Sequence, residues 1–261
     1  MKKGLVLSDQ HIPYHAKRIN DLILEEFIPE FKPDYIDLLG DMIDFWQISK
    51  FRKDPARKND IQKDIDTAVE YLTKLREVAP QAEIILHYGN HLGRLRKYIW
   101  DRAAEISSLR SLNLKWLLDC DKLHLKVIEQ EEGYDIRGKL VLTHGTLISQ
   151  DSAMTAKRNL QRYGQSIICG HTHRLGSTYK TDLRGTIGAW ENGCLCNLDL
   201  VHEWGAELAN WQQGFSIVFY NECKDKRFLV QQIPIIQETF MVGERCYECG
   251  KKDMPVVSNG K

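Results

Sequence analysis

The sequence predicts an α/β protein, and three observations carry that expectation. Apolar runs of strand length alternate with stretches of helical apolar spacing through the first half. Five short polar motifs each follow directly on an apolar run: Asp9-Gln10-His11, Gly40-Asp41-Met42-Ile43-Asp44, Gly89-Asn90-His91, Thr143-His144-Gly145 and Gly170-His171-Thr172-His173. Beyond Arg174 the chain turns β-rich.

Taken in order, Leu5-Val6-Leu7 is the first expected strand. Ile19, Leu22, Ile23, Phe27 and Ile28 share one helical face, predicting a helix up to Phe31. Tyr35 to Leu39 is the second strand. Ile61, Ile65, Ala68, Val69, Leu72 and Leu75 predict a helix over 60–78, and Glu83 to Leu86 the third strand. This alternation points to a mainly parallel sheet with helices packed on it. The stretch 92–118 reads as a helical cap, basic in its early part through Arg94, Arg96, Lys97 and Arg102. Strands are expected at Leu123–Val127, Tyr134–Arg137, Lys139–Leu142 and Ser166–Cys169, with a helix from Ser152 to Tyr163. Segments 177–180, 186–191, 215–220 and 227–236 are expected to build a second sheet, with Trp190, Trp204, Trp211 and Phe215 packing it; a base-stacking platform is the lesser alternative for these rings. One domain over 1–240 and a polar tail over 241–261 follow.

The chain of 261 residues is 43% apolar, enough for a large core and too much for disorder. Lys+Arg and Asp+Glu are both 36, so any basic surface must be local. No apolar run spans a bilayer, and the N-terminus runs into a strand without a long apolar leader; a cytoplasmic protein with no membrane partner is expected. The seven cysteines have no framework spacing and read as thiols. Cys246 and Cys249 make half of a zinc knuckle, which Cys194 and Cys196 or a second subunit could complete; the bland alternative is an exposed thiol pair.

The five motifs supply Asp, Asn and His at strand ends, where loops of an open α/β sheet converge. Those are the oxygen and nitrogen donors of a two-metal site, and such a site points to hydrolysis of a phosphate ester. One such motif alone is more often a turn residue; five in order are a specific signal.

The order D-x-H, G-D-x-x-D, G-N-H, H-G, G-H-x-H resembles that of the calcineurin-like metallophosphoesterases, from Asp9 to His173. The resemblance implies a four-layer α/β/β/α sandwich, two facing sheets flanked by helices. It implies that Asp9, His11 and His173 bind one divalent ion, Asn90, His144 and His171 a second, and that Asp41 bridges them. Manganese is the expected metal, with iron or zinc as alternatives. Attack would come from a metal-bridging hydroxide. His91 would protonate the leaving oxygen, and Asp44 would hold His91 in one tautomer. The family's motif continues with Glu or Asp after Gly-Asn-His, where this chain has Leu92.

Arg94, Arg96 and Lys97 either grip substrate phosphates or form a solvated face. Arg174, next to the last ligand, is the other candidate for substrate. The expected activity is that of a phosphodiesterase on nucleic acid or nucleotides, which the basic cap favours. The alternatives are a phosphomonoesterase and, against the complete ligand set, a non-catalytic scaffold. The oligomeric state is not legible.

Overall fold

The computed structural model describes residues 1–52, 60–129, 133–200, 209–221 and 227–248. In chain order the elements are β1 (Lys2–Leu7), α1 (Lys17–Leu22), α2 (Ile28–Phe31), β2 (Tyr35–Leu38), α3 (Ile61–Val78), β3 (Glu83–His87), α4 (Gly89–Arg102), α5 (Leu114–Leu117) and β4 (Leu125–Ile128). Then come β5 (Tyr134–Arg137), β6 (Leu140–Thr143), α6 (Met154–Tyr163), β7 (Ser166–Cys169), β8 (Leu175–Asp182), β9 (Gly185–Asn192), β10 (Gly214–Tyr220), β11 (Phe228–Pro234), β12 (Thr239–Val242) and β13 (Arg245–Glu248). A π-turn at Ile23–Phe27 joins α1 to α2. The α3 helix starts where the Asp60 carboxylate caps Gln62 N–H at 2.8 Å. It buries Ile65, Ala68, Leu72 and Leu75, the face its periodicity predicts.

The fold is mixed α/β. A six-stranded sheet has the order β11-β10-β1-β2-β3-β4 and a five-stranded sheet the order β5-β6-β7-β9-β8. Strands β1 to β4 are mutually parallel, as are β6, β7 and β9, while β10, β11, β5 and β8 are antiparallel to their neighbours. The sheets are therefore mixed rather than mainly parallel. The C-terminal strands also divide, against expectation: β8 and β9 complete the second sheet, and β10 and β11 return to the first. There β10 covers the free edge of β1, a row of backbone donors and acceptors that would otherwise lie open.

Apolar side chains form three clusters. One packs the first sheet against α1 to α3. A second joins the sheets through Val6, Leu39 and Val218 on one side and Leu140, Leu142, Ile168 and Trp190 on the other. The third packs α6, through Ala156 and Leu160, on Val141, Ile167 and Ala189 of the second sheet. Trp190 thus packs the second sheet as expected. Phe215 does not: it lies in the first cluster, 5.3 Å from the Phe27 ring. Leu92 belongs to that cluster too and is wholly buried, so its position faces the core. The expected tail begins too early. Residues 239–248 form the β12–β13 hairpin, and Phe240 and Tyr247 bury their rings beside Phe27. Residues 249–261, with Cys249, and Cys223, His202 and Trp204 lie outside the described residues. Among the described residues no helix is long and apolar enough to cross a membrane.

Between the sheets Arg137, on β5, reaches back to Asp37 on β2, Nε to Oδ2 3.4 Å, and lies over the Tyr35 ring at 4.1 Å. Asp37 is fully buried, and burial pushes its carboxyl up to about 7 despite the guanidinium. A carboxyl whose pKa rises on folding stabilises the fold most when protonated. That stability is full below the ordinary value of 3.8 and is lost as pH rises to about 7. Asp37→Asn should therefore lose less thermal stability than the natural protein between pH 5 and pH 8. Equal drops in melting temperature across that range would remove Asp37 as the cause.

Candidate metal centre

Strand register brings the motifs together. Leu7, Leu38 and Leu86 sit side by side across β1, β2 and β3, so Asp9, Asp41 and Asn90 emerge at one rim. Thr143 and Cys169 are level in the second sheet, which delivers His144 and His171 to the same rim. The loops then pair: Asp9 N–H donates to Gly40 O at 3.1 Å, and His11 N–H to Asp41 O at 2.9 Å.

Three groups of donor atoms converge there, each within 4.8 Å: Asp9, His11 and His173; His11, Asp41 and His91; and Asp41, His144 and His171. His11 Nε2 lies 3.0 Å from His173 Nε2, and His173 Nε2 3.3 Å from Asp9 Oδ1. On the other side His144 Nδ1 donates to Leu39 O at 2.7 Å, which leaves its Nε2 facing Asn90 Oδ1 and Asp41 Oδ2, each 3.1 Å away. Buried acceptors that face one another need a cation between them, a proton or a metal ion. Burial, with His91 and His173 nearby, holds the His11 pKa well below its ordinary value. Burial and His144 push His171 down to about 4, so both imidazoles are neutral donors. Burial opposes the charged form of His144, but the Asp41 carboxylate outweighs it and lifts the pKa to about 9. Among the described residues Asp41 belongs to two of these groups, one with His11 and His91 and one with His144 and His171.

His91 opens α4 and is oriented by two residues. Its Nδ1 lies 2.8 Å from Asp44 Oδ1. Arg94, one helical turn on, donates through Nη1 to Asp44 O at 2.7 Å and Oδ1 at 3.0 Å, and its Nη2 is 2.9 Å from His91 Nε2. That Nε2 accepts from a guanidinium, an arrangement that disfavours a metal ion at the same atom.

The backbone around the cluster is strained. Asp9, His11, Asp41, His171 and His173 all have φ between 48° and 74°, the left-handed region that non-glycine residues avoid. Each such residue costs roughly 1–3 kcal/mol, so five together approach a domain's whole net stability. Glycine is required where the chain passes closest. A Cβ on Gly89, at φ +66°, would meet Asp41 Oδ1 and stand 2.8 Å from Asp41 N. A Cβ on Gly170 would stand 2.8 Å from Asp9 Oδ2.

A cavity of about 600 Å³ opens over the cluster, lined by His11, Asp41, Asp44, Asn90, His91, Arg94, His171 and His173. Its remaining wall is Trp46, Phe51, Arg52, Ile148 and Trp211, none of which the motifs indicated. Trp211 is therefore not a core residue of the second sheet: its ring lies edge-on to His173 at 4.2 Å. Arg174 is turned away from the cavity and donates from Nη1 to Ser149 O at 2.7 Å, so its partner is a loop carbonyl. Of the cap residues, Arg96 lies over the Trp100 ring at 5.1 Å, Lys97 is exposed, and neither lines the cavity. Cys194 and Cys196 are buried beside His173, whereas Cys246 is exposed, so the three do not gather at one site.

Gly89→Ala isolates the close approach. Gly164, at φ +64°, has nothing within 4 Å of an added Cβ and reports the backbone cost alone, about 1 kcal/mol. Gly89→Ala should cost roughly 1–3 kcal/mol more, through displacement of Asp41. Equal losses in denaturant titrations of the two variants would mean that the Asp41 contact is slack.

No family model matches the chain. Over 261 residues it is 30% identical to the Gene 54 protein of Mycobacterium phage L5, an alignment covering 95% of this chain and 99% of that one. The Gene 54 protein of Mycobacterium phage D29 is likewise 30% identical over 259 residues, with 95% and 99% covered. A solution NMR structure of Thermotoga maritima protein TM1076 aligns with 88% of this chain and 99% of its own at 16% identity, with a TM-score of 0.40, too slight a likeness to carry weight. The full-length match to the phage proteins places the chain plainly: it belongs to the family of the mycobacteriophage Gene 54 proteins.

Proposed function

We propose that this protein is a metal-dependent phosphoesterase of the calcineurin-like metallophosphoesterase type, and that its substrates are phosphodiesters of nucleotides or nucleic acid. One observation carries the proposal: donor groups from both sheets meet at Asp41, with the His91–Asp44 pair at 2.8 Å beside them. The order of the three apolar clusters, helices on sheet, sheet on sheet, sheet on helix, supports the four-layer α/β/β/α architecture.

The donors fit the proposed metals. Carboxylate, amide oxygen and neutral imidazole suit manganese, iron or zinc. Asp9, His11 and His173 would hold one ion, Asn90, His144 and His171 the other, and Asp41 both. Two divalent cations there would supply charge neutralisation at the phosphoryl oxygens and an activated water for in-line attack.

The chain's own residues do the rest. Asp44 accepts from His91 Nδ1, which directs Nε2 into the cavity as the atom that exchanges a proton with the leaving oxygen. Arg94 occupies that atom at 2.9 Å. An entering phosphate dianion or diester competes for the guanidinium, and its departure from Nε2 frees His91 to carry a proton. Arg94 thus serves first as the residue that positions His91 and Asp44, and second as a phosphate ligand. The width of the cavity and its apolar wall favour a diester with a large substituent over a small monoester.

Metal content tests the ligand assignment. After dialysis against manganese the protein should approach two ions per chain by elemental analysis. Asp41→Ala should lose both and Asp9→Ala mainly one; two tightly held ions in Asp41→Ala would end the bridging role. The role of His91 is read from leaving groups. His91→Ala should lower kcat on a dinucleotide by about 10²–10⁴-fold, and much less on a nitrophenyl ester, whose phenolate departs unaided. Equal losses on both would show that His91 acts on the phosphoryl group instead.

A further inference from the structure

The wall of the cavity that the metal-ligand residues do not occupy is aromatic and solvent-facing. Phe45, itself left-handed at φ 53°, turns the chain out of the Gly40–Asp44 loop into a short helical turn, Trp46–Ile48. The Trp46 ring and the Phe51 ring then lie nearly parallel, 8° apart in plane with centroids at 6.3 Å. Phe51 is 65% exposed, so its ring is not held there by a core. Arg52 follows it on the same wall, and Arg94 lies deeper. Ile148, 62% exposed, also lines the cavity, on a loop fastened by two arginines: Arg158 Nη1 donates to Ile148 O at 2.9 Å, and Arg174 Nη1 to Ser149 O at 2.7 Å.

An exposed phenylalanine ring lying parallel to a half-buried tryptophan, beside guanidinium groups at the mouth of a polar cavity, matches one ligand chemistry: an anionic backbone bearing planar bases. The bases of a duplex are already stacked on one another, so only an unpaired base can offer its face. We infer that the Trp46–Phe51 wall is a base-stacking subsite, and that the substrate is single-stranded nucleic acid or a nucleotide whose unpaired base lies on it while the adjoining phosphodiester enters the ligand cluster. This rests on the phosphoesterase proposal and narrows its substrate. Neutral overall charge is consistent with a site that depends on stacking and two local arginines rather than a broad basic face.

The test compares KM, with manganese, for an oligothymidylate, for a strand of equal length whose sugars are abasic, and for a duplex. Stacking is worth about 1–3 kcal/mol per base, a ratio of about 5- to 150-fold. KM for oligothymidylate should be lower than for the abasic strand by that factor, and the duplex should be the poorest of the three. Phe51→Ala and the milder Phe51→Leu should bring the ratio towards one, as should Trp46→Ala. Trp100→Ala, on the exposed outer face of the cap, should keep it. Anisotropy of a labelled oligothymidylate should report the same ratios for binding without turnover. Equal KM for thymidylate and abasic strands, an unchanged ratio in all three wall variants, or a preference for a phosphotyrosyl peptide overturns the subsite. Hydrolysis of methyl 4-nitrophenyl phosphate alongside any of these leaves the phosphoesterase proposal standing; no hydrolysis of any ester overturns both.

Discussion

Everything around the centre follows from having to hold like with like. Asp9, Asp41, the Asn90 oxygen and several imidazole nitrogens are confined to one buried space, about 3 Å apart, with too few protons to satisfy every lone pair. In a low-dielectric interior that is among the costlier arrangements a protein can maintain. It persists because the side chains have nowhere else to go. Their backbones are fixed in the left-handed region by hydrogen bonds between loops, and their strands are in register on both sheets.

A layer of buried polar residues fixes those loops. Glu191 lies one residue from the end of β9, under the second sheet's contribution. One of its oxygens accepts from Ala156 N–H in the first turn of α6 at 2.9 Å, and the other faces Thr172 Oγ1 at 3.2 Å, between His171 and His173. Asn192 reaches across to the first sheet and donates to Val6 O and Ser8 Oγ, both at 3.1 Å. Adjacent residues of one strand thereby couple the histidine loop, a helix N-terminus and the strand that carries Asp9. Neither residue resembles a functional group in the sequence; each acts through what it holds.

The legible part of the molecule was its periodic part. Ile65, Ala68, Leu72 and Leu75 announced α3, and apolar runs ending in Asp, Asn or His announced each strand that feeds the centre. Pairing partners were not legible. Nothing local in the run Phe215–Tyr220 says that it returns to β1 rather than joining β9, because strand propensity is blind to partner. Trp46, Phe51 and Ile148 escaped for a related reason: nothing local in a loop tells an aromatic or aliphatic residue of the core from one that lines a cavity. Arg174 failed in the opposite sense. Its neighbour His173 points at the cluster, but the backbone turns through a left-handed residue there, and the next side chain leaves towards Ser149. Arg94 was legible only as one basic residue among several in the cap; that it meets His91, three residues back on the same helix face, shows only in the fold.

The pairing of β10 with β1 carries a consequence for how the molecule is assembled. Lys2 lies opposite Tyr220 and Val6 opposite Ser216, so contacts of the first strand made during synthesis await a segment made more than two hundred residues later. Leu195 N–H adds its own long-range bond to Ser8 O at 3.1 Å, directly under Asp9. Such high contact order makes folding slow, and until the C-terminal strands arrive β1 keeps an open, apolar edge. The centre is thus among the last regions to acquire its final shape, and a nascent chain halted before β10 would hold the motif residues without the scaffold that strains them into place.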